Sequence, residues 1–155
     1  TRDEQKIVGT TISGRDIPVS GIESSIGLYI NTLPLVVDWG EGATVAEVLR
    51  DIQVGVAELN AYSGVSLSSL QQQGERLFHS LFVFENYPAG KESSSGLDVS
   101  IRESIEKGDY PLSVISYEHG SCLTVKLKYD KKMLFETRSL HLLNQLKLIL
   151  NGLLF

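Results

Sequence analysis

The sequence predicts an α/β (α+β) fold: a mixed, largely antiparallel sheet with helices packed on one face. Three observations predict it. Strand-like segments rich in β-branched and aromatic residues cluster together, two of them spaced as a hairpin. Two segments repeat apolar residues at three- and four-residue steps, one mid-chain and one at the end, as amphipathic helices do. The 155 residues are 42% hydrophobic, enough for a single core, so one domain over residues 1–155 is expected.

The elements follow in order. Residues 6–13, KIVGTTIS, mix β-branched and polar side chains and read as a strand. SGRD and PVSG are turn signals. Residues 22–30 fit a short helix or a strand, and their periodicity leaves both open. Residues 33–37 form a short buried strand, and Pro34 places it at an edge or at a strand start. After the DWGEGA loop, Thr44 and Glu47 have capping-box spacing. Val45, Val48, Leu49, Ile52, Val56 and Leu59 then make the apolar stripe of a helix that AYSG ends. Residues 66–73 suggest a shorter helix with Ser66 as its cap.

A buried aromatic strand is expected over residues 78–85, stopped by Pro88, with AGKESSSG as a surface loop. Leu97, Val99 and Ile101 alternate with polar residues and suggest another strand. Residues 111–117 and 122–129 flank EHGS as an antiparallel hairpin. Leu123, Val125, Leu127 and Tyr129 share one face of it, and Thr124, Lys126 and Lys128 the other. The final helix spans residues 135–152, with Leu142, Leu146, Ile149, Leu150 and Leu153 as its stripe. No internal repeat is visible.

Net charge is −5, and Lys126, Lys128, Lys131 and Lys132 are the main basic grouping, read as a solvated strand edge and turn; nucleic acid is not an expected partner. Cys122 is the single cysteine, which excludes an internal disulfide and any cysteine-pair metal site, and fits a reducing, cytoplasmic setting. No apolar run nears the roughly 20 residues of a membrane helix. The opening TRDEQK is charged and leads directly into a strand pattern, as expected of a piece of a longer chain. His79, His119 and His141 have no second ligand at metal-site spacing, and neither a G-x-S-x-G elbow, a P-loop nor a G-x-G-x-x-G occurs.

Asn31 is the ambiguous residue. An amide inside an apolar run must be hydrogen-bonded or cost roughly 1–3 kcal/mol. It either ties the segment to a neighbouring backbone or lines a cavity and orients a polar substrate group.

Several segments together resemble the C-terminal half of a nonribosomal peptide synthetase condensation domain. IGLYINTL, residues 26–33, resembles the family motif I-G-x-F-V-N-T-L, with Pro34 following as usual. VGTTISGRDIPVSGIE resembles the strand and SGR turn upstream of it, and TVAEVLRDIQ the helix downstream. RLFHSLFVFENYP and YPLSVISYEHGSCLTVKLKYD also match in order and spacing, so the resemblance covers nearly the whole chain. It departs in ELNAYSGVSLSSLQ, where the family often has a His and a Pro-Leu pair, and in QQQGERLF, which lacks the family's R-D-x-S-R-N-P-L form.

The resemblance implies one lobe of a chloramphenicol acetyltransferase-like fold, in which two lobes form a V around a tunnel. Donor and acceptor would arrive on the 4'-phosphopantetheine of peptidyl carrier domains, with no cofactor bound by the chain itself. The family's catalytic H-H-x-x-x-D-G belongs to the N-terminal lobe and is absent here. The expected partners are that lobe, carrier domains and an adenylation domain, with self-association through the face the missing lobe would cover. Asn31 would face the tunnel, and Ser13, Gly14 and Arg15 would shape the turn beside it. Glu85 and Asn86 would end a central strand. For Arg15 the plainer reading is a surface salt bridge. An epimerisation-domain lobe, or a non-catalytic scaffold that docks carriers, is the alternative.

Overall fold

The computed structural model describes residues 5–15, 17–71, 74–85 and 108–153. The chain forms two compact units, Thr1–Val83 and Phe84–Phe155.

The first unit is built on a hairpin. Strand β1 (Gln5–Ile12) pairs antiparallel with β2 (Asn31–Asp38), from Gln5 opposite Asp38 to Ile12 opposite Asn31. The second strand therefore begins two residues earlier than its apolar run suggests, with Asn31 as its first residue. Pro34 lies opposite Gly9 on this outer strand, where a missing N–H is tolerated. Strand β3 (Ser80–Glu85) runs parallel to β1, with Leu81 beside Gly9 and Phe82 beside Thr10, so the sheet is mixed.

Directly opposite residues share a face. Thr10 and Ile12 of β1 lie beside Leu33 and Leu35 of β2, and all four are buried. Helix α1 (Val45–Ala61) covers Leu35: a Cβ on Gly55 would sit 3.2 Å from the Leu35 Cδ1, so glycine there lets the helix lie close. Val48 is the buried residue of α1. On the opposite face, Gly9 opens a seat for Phe78. A Cβ on Gly9 would lie 2.1 Å from Phe78 Cε2, and Phe78 is only 2% exposed.

The predicted capping box is present. The Thr44 hydroxyl accepts from the Glu47 amide, and the Glu47 carboxylate accepts from the Thr44 amide at 2.8 Å. Those bonds, the backbone one first, hold the Glu47 carboxyl below its ordinary value. Helix α2 (Leu67–Leu70) is a single turn, shorter than its sequence pattern, and Ser66 caps it without a side-chain bond.

The second unit contains the expected hairpin. Strand β4 (Leu112–His119) pairs antiparallel with β5 (Cys122–Tyr129) across Gly120 and Ser121. Gly120 has φ 61°, as a tight two-residue turn of this hand requires. Lys126 lies over the Tyr117 ring, 4.9 Å from its centroid. Helix α3 (Glu136–Leu153) leaves Ile149 and Leu153 more than half or half exposed, and buries Ser139 instead. Of the stripe read off the sequence Leu146 and Leu150 stay inward, so the inward face is Ser139, Leu143, Leu146 and Leu150. The last three line a groove of about 580 Å³ with Leu123 and Val125 of β5. The expected strand at Leu97–Ile101 lies outside the described residues. Among the described residues no helix is long and apolar enough to cross a membrane.

Candidate functional site

The loop that joins β1 to β2, residues 13–30, carries Ser13, Gly14 and Arg15 of the residues singled out from the sequence, and Asn31 directly follows it. Its entry is the turn Ser13-Gly14-Arg15. The Ser13 hydroxyl accepts from the Arg15 amide at 3.3 Å, a turn-forming side-chain bond. Gly14 has φ 63°, and a Cβ there would lie 2.2 Å from the Tyr29 carbonyl oxygen. Both the backbone conformation and the close approach require glycine.

Arg15 makes more than a surface ion pair. Its Nη1 donates to the carbonyls of Ile22 at 2.6 Å and Ser25 at 3.1 Å, and its guanidinium lies 4.3 Å above the Tyr29 ring centroid. The two carbonyls bracket a 3-10 turn, Ile22–Ser24, so the cation sits where that turn's carbonyls leave negative charge. Residues 22–30 are therefore one 3-10 turn followed by chain without regular structure that bends at Gly27, neither the helix nor the strand that the sequence left open.

Asn31 is half-buried and saturated on its nitrogen. Its Nδ2 donates to the carbonyls of Ser63 at 2.8 Å and Val65 at 2.6 Å, and its Oδ1 accepts from the Thr32 amide at 2.8 Å. The side chain thus staples the start of β2 to the segment between α1 and α2. What it has left for any substrate is one lone pair on Oδ1.

Register places Ile12 opposite Asn31, so Ser13, Gly14, Arg15 and Asn31 gather at one end of the β1–β2 pair. Glu85 is half-buried at the end of β3. Asn86 lies outside the described residues. Sequence reasoning did not single out Tyr29, Ser25, Ser63 or Val65. The two carbonyl partners of Asn31 carry no side-chain signal, because backbone oxygens are present at every residue. His79 and His141 are exposed, and among the described residues no three His, Cys, Asp or Glu side chains gather as metal ligands.

The same loop shows an unusual surface. Ile26 and Leu28 are 102% and 92% exposed and Ile30 is 53% exposed, while Tyr29 between them turns inward.

A family model described as Condensation domain matches residues 1–154, and the chain belongs to that family, the condensation domains of nonribosomal peptide synthetases. It is 44% identical over 140 residues, 84% of the chain, to N-(5-amino-5-carboxypentanoyl)-L-cysteinyl-D-valine synthase of Amycolatopsis lactamdurans. It is 39% identical over 152 residues, 91% of the chain, to the synthase of the same name from Penicillium chrysogenum. The chain spans only 4% of each of those two proteins. Its fold matches the crystal structure of holo T3CT with a TM-score of 0.80 at 21% identity, covering 94% of this chain and 36% of that one. The first condensation domain of the CDA synthetase matches with a TM-score of 0.61 at 16% identity, covering 92% of this chain and 32% of that one.

Proposed function

We propose that the chain is the C-terminal half of a nonribosomal peptide synthetase condensation domain, which joins a carrier-tethered donor thioester to the amine of a carrier-tethered acceptor. The observation that carries this reading is coverage. Nearly all of this chain aligns with about a third of a condensation-domain structure, and the sequence contains no H-H-x-x-x-D-G. The other two thirds of such a chain is where the second tunnel wall and the catalytic histidine belong.

In this reading the loop of residues 13–30 and Asn31 contribute one wall of the tunnel, and Glu85 and Asn86 end a strand near it. Asn31 acts through its staple, with one Oδ1 lone pair free for a substrate amide. Ile26, Leu28 and Ile30 are the apolar surface that the other lobe covers, since apolar side chains gathered on a surface mark interaction sites. Peptidyl carrier domains bring both substrates on 4'-phosphopantetheine, and an adenylation domain in the same cytoplasmic synthetase loads them.

Amide formation needs the amine positioned and its proton removed, and a single wall provides neither. The chain alone is expected to give no dipeptidyl-carrier product from loaded carriers, while the intact domain gives it. Product from this chain as sole catalyst refutes the assignment.

A further inference from the structure

We propose that Arg15 is a positioning residue that sets which side chains of the β1–β2 loop face the rest of the domain; the inference rests on the reading of this chain as one lobe of a condensation domain. The loop is poorly built to hold itself, with glycines at 14, 21 and 27 and, among its described residues, no regular structure beyond one 3-10 turn. A closed ring of interactions holds it instead. Arg15 Nη1 donates to the Ile22 and Ser25 carbonyls, and the Ser25 hydroxyl donates to the same Ile22 carbonyl at 2.9 Å. That uses the only Ser25 hydroxyl proton, so in the 2.7 Å contact between the two hydroxyls Tyr29 is the donor. The Tyr29 ring returns to Arg15 by lying under its guanidinium.

The ring of contacts fixes Tyr29 inward. The same contacts leave Leu28 and Ile30, on either side of it, 92% and 53% exposed. A slip of one residue would expose the tyrosine and bury the leucine. Burial of apolar surface favours that slip in the chain by itself. Arg15 opposes it, holding an apolar edge in readiness for a partner surface.

Only arginine fits this duty. A planar guanidinium can bond two carbonyls at its edge while its flat face lies on an aromatic ring. A lysine ammonium keeps the charge and loses the plane. The Asn31 amide bonds Ser63, Val65 and Thr32 instead, so Arg15 acts separately from the Asn31 staple.

The test uses the intact condensation domain with loaded carrier domains, as wild type, Arg15→Lys, Arg15→Ala and Tyr29→Phe. Two quantities are read: amide hydrogen exchange in residues 22–30 against that in β1 and β2, and condensation kcat and KM for the acceptor carrier. In Arg15→Lys and Arg15→Ala, exchange in residues 22–30 should rise at least about tenfold, equivalent to ~1.4 kcal/mol. Exchange in β1 and β2 should stay unchanged, and kcat should fall by a similar factor with little change in KM. Tyr29→Phe keeps the ring under Arg15 but deletes the hydroxyl bond to Ser25, so exchange in residues 22–30 should rise by less than in Arg15→Lys. Unchanged exchange at residues 22–30 in Arg15→Lys overturns the proposal, and so does a loosened loop with full kcat. A wild-type domain that forms no amide refutes the condensation reading alone, and the exchange comparison then decides whether Arg15 sets the loop.

Discussion

Replacing Asn31 by aspartate leaves size and shape almost unchanged but reverses the sense of two hydrogen bonds. In the native protein Nδ2 approaches the Ser63 and Val65 carbonyls at 2.8 and 2.6 Å. In Asn31→Asp a carboxylate oxygen faces those two carbonyl oxygens. Each lost bond removes about 0.5–1.5 kcal/mol, so two remove about 1–3 kcal/mol. Oxygen–oxygen repulsion adds to this, and half-burial lets water offset part of it. A net loss of about 2–3 kcal/mol is expected at neutral pH, or roughly 4–12 °C in Tm for a chain of this size. Asn31→Ala loses the bonds without repulsion and admits water, so it should lie between wild type and Asn31→Asp.

The sign of the pH dependence separates the two variants. The carbonyls disfavour the carboxylate, so the folded state raises the pKa of the new Asp. A raised folded pKa stabilises fully below the unfolded value and less as pH rises through the folded one. The deficit of Asn31→Asp should therefore shrink on acidification, where a neutral acid can donate one of the two bonds. The deficit of Asn31→Ala should not shrink in this way. Thermal unfolding followed by far-UV circular dichroism at neutral and acidic pH measures both. An Asn31→Asp variant as stable as wild type at neutral pH would show that the staple contributes nothing.

Gly9→Ala tests the seat of Phe78. Gly9 is not at positive φ, so alanine alone would stabilise the strand by about 0.4–1 kcal/mol through the unfolded chain. The 2.1 Å approach to a 2% exposed ring reverses that, and overpacking of about 1–3 kcal/mol should win; a raised urea midpoint refutes it. Thr44→Ala should destabilise α1 by about 0.5–2 kcal/mol, seen as a lower denaturation midpoint. The depressed Glu47 carboxyl stabilises above the ordinary 4.5 and less as pH falls through its folded value. Wild type should therefore lose stability in that acid window relative to Glu47→Gln, and parallel curves would contradict this. Sedimentation should show self-association of the chain at high concentration, weakened in Ile26→Ser/Leu28→Ser; a strict monomer throughout contradicts an uncovered lobe face.

The features legible in the sequence were those set by near neighbours. The Thr44–Glu47 box, the period of α1 and the alternation across the β4–β5 hairpin depend on residues within a turn or two of one another. The SGR turn was legible for the same reason, since Gly14 answers to its own φ. The family motif around Asn31 also located the candidate site. The inward face of α3 was legible in part: Leu146 and Leu150 belong to it, but the stripe that adds Leu142, Ile149 and Leu153 has as good a periodicity as the one that adds Ser139 and Leu143. Only the position of β5 chooses between the two stripes.

The sequence by itself determined the mixed α/β class, the order of the described elements and the membership of the condensation family, since each rests on local pattern and motif spacing. Tertiary structure decided what the polar residues do. Asn31 finds its partners 32 and 34 residues away, on backbone carbonyls that no side-chain pattern reveals. Arg15 turns from a surface charge into the anchor of its own loop because chain folding brings two carbonyls and a tyrosine ring within its reach. Hydrogen bonds and ring contacts depend on distance in space, which spacing along the chain specifies only within a few residues.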